Sequence, residues 1–188
     1  MRTGPVVLLL FLLLAAGCSA APAQSAPAVP VAATASVVPS GFNGTDVAWL
    51  QLVIPMEDKA LRLLDLAAER GSEPAVRRLA GQVRDSHRAE LLDLHRILDR
   101  TGLPATNVHE GHDMPGMVTT DRFTLISSTT GPRFDSHFLQ ALKAHLAQTA
   151  HISRGEAQSG ANAGTKALAR SIASARGTEL GELDQLSP

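Results

Sequence analysis

Residues 42 to 188 of this chain specify an all-α domain, a four-helix bundle assembled from one helical hairpin written twice. Three observations predict it. Apolar residues return at steps of three and four through four long segments, as in helices that each bury one stripe. The second half of the domain repeats the first at a constant offset of 89 residues. No segment shows the alternation of a half-buried strand, and few aromatics with many alanines suit close helix packing.

The chain begins "MRTGPVVLLLFLLLAAGCSA", with a basic residue at Arg2, an apolar run from Val6 to Ala16 and small residues before Cys18. That order predicts a secretory signal over residues 1 to 17. The run is shorter than the about 20 apolar residues a spanning helix needs, and no second one follows. Cys18 is the only cysteine, and "LAAGC" resembles the lipobox of bacterial lipoproteins, with Ala15 where leucine is commoner. The resemblance implies that Cys18 carries a diacylglyceryl group, becomes the mature N-terminus and anchors the protein on the extracytoplasmic face of the membrane. Each buried CH₂ of such an anchor contributes ~0.8 kcal/mol.

From the lipidated Cys18 to residue 41 the chain is uncharged and rich in Ala, Pro and Ser. It reads as a tether whose reach is on the order of 70 Å at about 3.1 Å per residue. The formal charge of the whole chain is -1; losing the signal removes Arg2 and no acid, which makes it -2. A near-neutral balance, no tyrosine and few aromatics among the basic residues exclude a nucleic-acid partner.

The first hairpin spans residues 43 to 101. Asn43 or Thr45 can cap its first helix, whose seam reads Trp49, Val53, Met56, Ala60, Leu63 and Ala67 until "ERGSEP" stops it. Pro55 must remove one backbone hydrogen bond there and is expected to kink it. The second helix runs from about Pro74 to Arg100, with proline at its start and Gly102 past its end. Its seam is Val76, Ala80, Val83, His87, Glu90, Leu94 and Ile97.

The second hairpin spans residues 132 to 187. "DVAWLQ" at 46 returns as "DSHFLQ" at 135, and in the same register Gly71 meets Gly160, Val83 meets Ile172 and Leu94 meets Leu183. Its seams are Phe138, Leu142, His145, Thr149, Ile152 and then Thr165, Ala169, Ile172, Arg176, Glu179, Leu183, Leu186. Between the hairpins lies a link, residues 102 to 131, with a short helix expected around Asp121 to Thr129. Neither hairpin can bury its seam alone, so the two bury each other's.

Antiparallel geometry then places Met56, His87, Glu90, His145, Arg176 and Glu179 at one level inside the bundle. An unpaired buried charge costs several kcal/mol, so such a layer needs a reason. It can be a metal site, because imidazole, thioether and carboxylate are all ligands. It can equally be an ion-pair network in which Arg176 neutralises Glu179 and Glu90. A guanidinium that keeps its proton weighs toward the second, because it repels a cation beside it.

The link contains "NVHEGHDMPGMVTT", with His109, His112, Met114 and Met117 on a segment loosened by Gly111 and Gly116. Imidazole with thioether favours Cu(I), with Glu110 and Asp113 as further oxygen donors for Cu(II). The alternative is a solvated connection with no ion. The repeated "DSH" at 85 and 135 is no triad, since adjacent helical residues point about 100° apart. His95, His137 and His151 read as surface or seam-edge residues, and "NGT" at 43 as a helix cap.

"FNGTDVAWLQLVIP", "FDSHFLQALKAH" and the "GHDMPGM" between them resemble the domain of unknown function 305 family, ferritin-like helical proteins of bacterial envelopes. The resemblance covers about residues 42 to 187. It implies a "MIPHH" pair in the first helix and a second His pair in the third, with copper binding in some members. Here Met56 and Glu57 replace the first pair, while His145 survives beside Leu146. The implied interior metal set is therefore Met56, Glu57, His87, Glu90 and His145. A dinuclear oxidase is not expected, since His87 and Glu90 stand in reverse order and the seams of the first and third helices show no carboxylate. The sequence thus predicts no enzyme but a membrane-anchored extracytoplasmic module that binds copper through its His and Met loop. The alternative is a structural or protein-interaction lipoprotein whose metal site has lapsed.

Overall fold

The computed structural model describes residues 38 to 186, so the signal, Cys18 and most of the tether lie outside the described residues. Four long helices and one short one follow in order: α1 (Gly44–Arg70), α2 (Pro74–Thr101), α3 (Thr120–Ser127), α4 (Gly131–Ser159) and α5 (Ala163–Asp184). There is no strand among the described residues. No helix among them is long and apolar enough to cross a membrane.

Local chemistry sets the helix ends. Asn43 caps α1 by accepting from the Thr45 and Asp46 amides, while Asp46 accepts from the Asn43 amide, so two orphan donor sites are met reciprocally. Pro74 opens α2, and Gly102 closes it at φ 68°, a left-handed position that glycine takes without a Cβ clash. Asn162 caps α5 and Thr119 caps α3. Pro55 lies inside an α1 that continues through it, so the Gln51 carbonyl merely lacks its usual partner.

The four long helices form a square in which α1 packs on α2 and α4, and α5 packs on α4 and α2. Direction follows from the ends. Asp46 at the start of α1 accepts from the Ala161 and Asn162 amides (3.1 Å each), just past the end of α4. Asp135, near the start of α4, accepts from the Ser72 and Glu73 amides (2.9 Å each), just past the end of α1. Helices α1 and α4 are therefore antiparallel, as are the two members of each hairpin. Because α2 ends where α4 does, the link from α2 to α4 has to run the length of the bundle, as in ferritin-like folds with one long crossover.

These aspartates are equivalent in the 89-residue register, and so are the amides they hold, 72 with 161 and 73 with 162. Each repeat thus grips the turn of the other. The apolar core divides into two clusters. One gathers Ala60 to Ala67 of α1, Val76 to Val83 of α2, Phe134 to Leu146 of α4 and Leu183. The other gathers Trp49 to Ile54, Leu91 to Leu98, Ala169 and Ile172. In α1, α2 and α5 the stretch between the two clusters is where the polar layer falls.

Candidate functional site

Every helix of the square contributes to that layer. Helix α1 supplies Met56 and Glu57, α2 His87 and Glu90, α4 His145, and α5 Arg176 and Glu179. Met56, Glu57, His87, His145 and Arg176 are fully buried, and Glu179 nearly so. The guanidinium of Arg176 is the hub: Nη2 donates to Glu57 Oε1 (2.9 Å) and to Glu90 Oε2, and Nη1 donates to Glu179 Oε2 (2.9 Å) and Glu90 Oε1 (3.4 Å). Burial works against the Arg176 charge, but the three carboxylates outweigh it and hold its pKa above the ordinary value. Burial likewise drives the Glu57 carboxyl up, to about 8, against the pull of Arg176. Glu57 Oε2 faces no hydrogen-bond partner, which is where a retained proton would sit.

Beside this cluster the two imidazoles meet edge on, His87 Nε2 to His145 Nε2 at 2.9 Å. His145 Nδ1 lies 3.2 Å from the Gly116 carbonyl, which only accepts, so Nδ1 carries that ring's proton. His145 Nε2 is then an acceptor, and His87 must donate from Nε2. His87 Nδ1 is left with a lone pair and no partner; the Val83 carbonyl, one turn back, favours a proton on this ring without closing a hydrogen bond to that atom. Burial first, and the Arg176 charge second, depress both pKa values, that of His145 to about 3. Both rings are therefore neutral at physiological pH.

A second buried acid lies at the end of the bundle where α1 begins. Glu156 of α4 accepts from no donor and rests against Asp46. Burial, then the neighbouring Asp46, raises its pKa to about 8, so at neutral pH it keeps a proton that it can share with that carboxylate. A pH profile follows. A carboxyl whose folded pKa exceeds the ordinary 4.5 loses stability as pH rises from there to about 8, which applies to Glu57 and Glu156. An imidazole whose folded pKa lies below the ordinary 6.5 loses stability as pH falls below it, which applies to His87 and His145. Between 4.5 and 6.5 the imidazoles oppose the raised carboxyls, Glu179 among them, so the dependence there is shallow. Thermal melts across pH should show a plateau there and a decline on either side; a midpoint rising steadily to pH 8 would contradict this.

The crossover loop passes over the layer at Gly116. A Cβ there would lie 2.5 Å from Gln148 Cβ and 2.8 Å from the Ala144 carbonyl, so only glycine lets the loop lie this close to α4. Gly111 and Gly116 stand at φ 78° and 76° in hydrogen-bonded turns, so they shape the loop rather than merely loosen it. The His109 and His112 rings are neighbours, with centroids 6.0 Å apart and planes at 64°. His112 and Asp113 are exposed, and Met114 is half-buried. Met117 departs from the expected four-ligand set: it is buried, its sulfur 3.8 Å from the Lys59 ammonium, which also lies 3.6 Å from Glu110. Its thioether anchors the loop to the bundle.

The family described as Domain of unknown function (DUF305) matches residues 46–187. The chain belongs to the DUF305 family. Two crystal structures share its fold: a DUF305 protein from Streptomyces coelicolor and a DUF305 fragment from Deinococcus radiodurans. The first has a TM-score of 0.68 at 20% identity and covers 76% of this chain and 91% of its own. The second has a TM-score of 0.68 at 20% identity and covers 77% of this chain and 95% of its own. No curated protein matches the chain.

Within this DUF305 domain the interior donors do not fit a metal ion as they stand. The facing imidazole nitrogens are spent on each other, and the carboxylates of Glu57, Glu90 and Glu179 are spent on a permanent cation. Among the described residues no group of three or more His, Cys, Asp or Glu side chains is placed to hold an ion. The expectation that the first and third long helices carry no inward carboxylate is corrected. Asp46 and Glu57 of α1 and Asp135 and Glu156 of α4 are all buried. A helix in a square faces two neighbours and buries a wide stripe, so a second seam runs Leu50, Val53, Glu57, Ala60, Leu64, Ala67. That spacing is visible in the sequence, and it would have placed Glu57 inside.

Proposed function

We propose that this DUF305 domain is a membrane-anchored, extracytoplasmic copper-binding module whose ion is held by the crossover loop rather than by the bundle interior. Placement outside the cytoplasm rests on the sequence signal, the lipobox resemblance at Cys18, and the Streptomyces coelicolor relative, which is described as a candidate secreted protein. The observation that carries the copper reading is the pairing of His109 with His112. Two imidazoles bound to one ion at about 2.0 Å per metal–nitrogen bond have centroids roughly 5 to 6.5 Å apart. The 6.0 Å separation falls in that range before any ion arrives. Met114 follows two residues on, and two imidazoles with a thioether suit Cu(I). Nothing in this assignment involves catalysis.

Titration of the domain with Cu(I) should give one ion per chain with a submillimolar Kd. Binding should weaken as pH falls, because a protonated imidazole cannot ligate. The His109→Ala/His112→Ala double variant should lose at least a hundredfold in affinity, Met114→Ala about tenfold, and Met117→Ala should lower thermal stability more than affinity. A second reading, a structural or interaction lipoprotein without metal, is favoured by the burial of Met117 beside Lys59. Equal copper affinity in the parent and the double histidine variant, or no binding by the parent, would decide for it.

A further inference from the structure

The interior layer is built from two related halves. In the 89-residue register Met56 corresponds to His145, His87 to Arg176 and Glu90 to Glu179. One repeat therefore places an imidazole three residues before its glutamate, and the other places a guanidinium there. Three carboxylates from three different helices, Glu57, Glu90 and Glu179, turn toward that one guanidinium, with His87 and His145 alongside. Carboxylate oxygens converging from three helices in a bundle interior make a donor set for a divalent cation. Like charges gathered in a dry interior demand a positive centre among them, and the layer contains one cation only.

We infer that the Arg176 guanidinium is the built-in cation of a carboxylate cage, standing where a divalent metal ion would otherwise be held. The layer is closed to metal while Arg176 is present, and shortening that side chain opens it. The large planar guanidinium holds the three carboxylates apart; without it they can close on a smaller ion. The inference stands independently of copper binding at the loop.

The test uses a background in which His109, His112 and Met114 are alanine, so that any ion detected lies elsewhere. In that background the domain with Arg176 intact should take up no Zn²⁺ or Mn²⁺ by native mass spectrometry, and its Tm should not respond to either ion. Arg176→Ala should take up one ion per chain, with a Tm raised by at least 5 °C at millimolar Zn²⁺. Arg176→His, which repeats the residue of the other half, should behave likewise and covers the case in which the alanine variant fails to fold. Neutralising the cage with Glu57→Gln, Glu179→Gln and Arg176→Met should give a folded domain indifferent to metal. Metal uptake with Arg176 in place would overturn the inference, and so would the absence of a metal response in both Arg176→Ala and Arg176→His.

Discussion

Replacing Arg176 with alanine in the otherwise unaltered domain, without added metal, is expected to cost about 3 to 5 kcal/mol of folding stability. That is the usual loss when one member of a buried charge network is deleted and its partners stay. Most of the loss comes from what is left behind. Glu57 is fully buried and has no donor other than Arg176, and Glu179 is nearly buried. Glu90 and Glu179 keep a small access to water, with 13% and 11% of their side chains accessible, whereas Glu57 has none. Glu57 above all would respond by keeping its proton, so the variant should be destabilised more at pH 8 than at pH 5. In a chain of this size the midpoint should fall by on the order of 10 °C. Adding Glu57→Leu and Glu179→Gln to Arg176→Met should recover most of that, because removing a whole buried network is far cheaper than breaking it. Chemical denaturation of the single and combined variants measures both effects. A single-variant loss under about 1 kcal/mol would show that the guanidinium is not what holds the layer together.

The second large effect is expected at Asp135. Its carboxylate accepts from the Ser72 amide, the Ser72 hydroxyl and the Glu73 amide, and these contacts join the start of α4 to the turn of the other hairpin. Hydrogen bonds to a charged acceptor are worth about 1.5 to 3 kcal/mol, and Ser72 is exposed enough for water to compensate in part. Asp135→Ala should therefore cost about 2 to 3 kcal/mol, and Asp135→Asn less, because the amide keeps one acceptor. Asp46→Ala should cost at least as much as Asp135→Ala. The Asp46 carboxylate accepts from the Asn43, Ala161 and Asn162 amides, and it is also the group with which the buried Glu156 shares its retained proton. The two losses should add, since the aspartates lie at opposite ends of the bundle and share no partner. A loss at Asp46 well below that at Asp135 would argue that Glu156 is indifferent to its neighbour.

Much of this was legible from residue spacing alone. The steps of three and four placed four long helices to within a few residues, because an exposed polar face and a buried apolar face leave a periodic record in any amphipathic helix. The internal repeat did more: it aligned Met56 with His145 and His87 with Arg176, pairs 89 positions apart, and antiparallel geometry then set their common depth. What spacing did not reveal was long-range polar pairing. Asp46 and Asp135 stand in the repeat as matching letters, yet nothing local tells that each reaches into the other hairpin. Glu156 sits on a second seam of its helix, and a carboxylate there reads as a surface position until its partner Asp46 is known. The loop was legible in composition but not in shape, because Met117 is buried beside Lys59, a residue remote in sequence.

The exchanged aspartates bear on how such a chain can arise and on what its parts can do. A single half carries one acidic hook and one pair of turn amides, and in the folded domain these never meet within the same half. Two identical copies set head to tail would satisfy one another completely. An association of separate short chains, later joined into one, would thus already possess the contacts that lock both ends of the present barrel of helices.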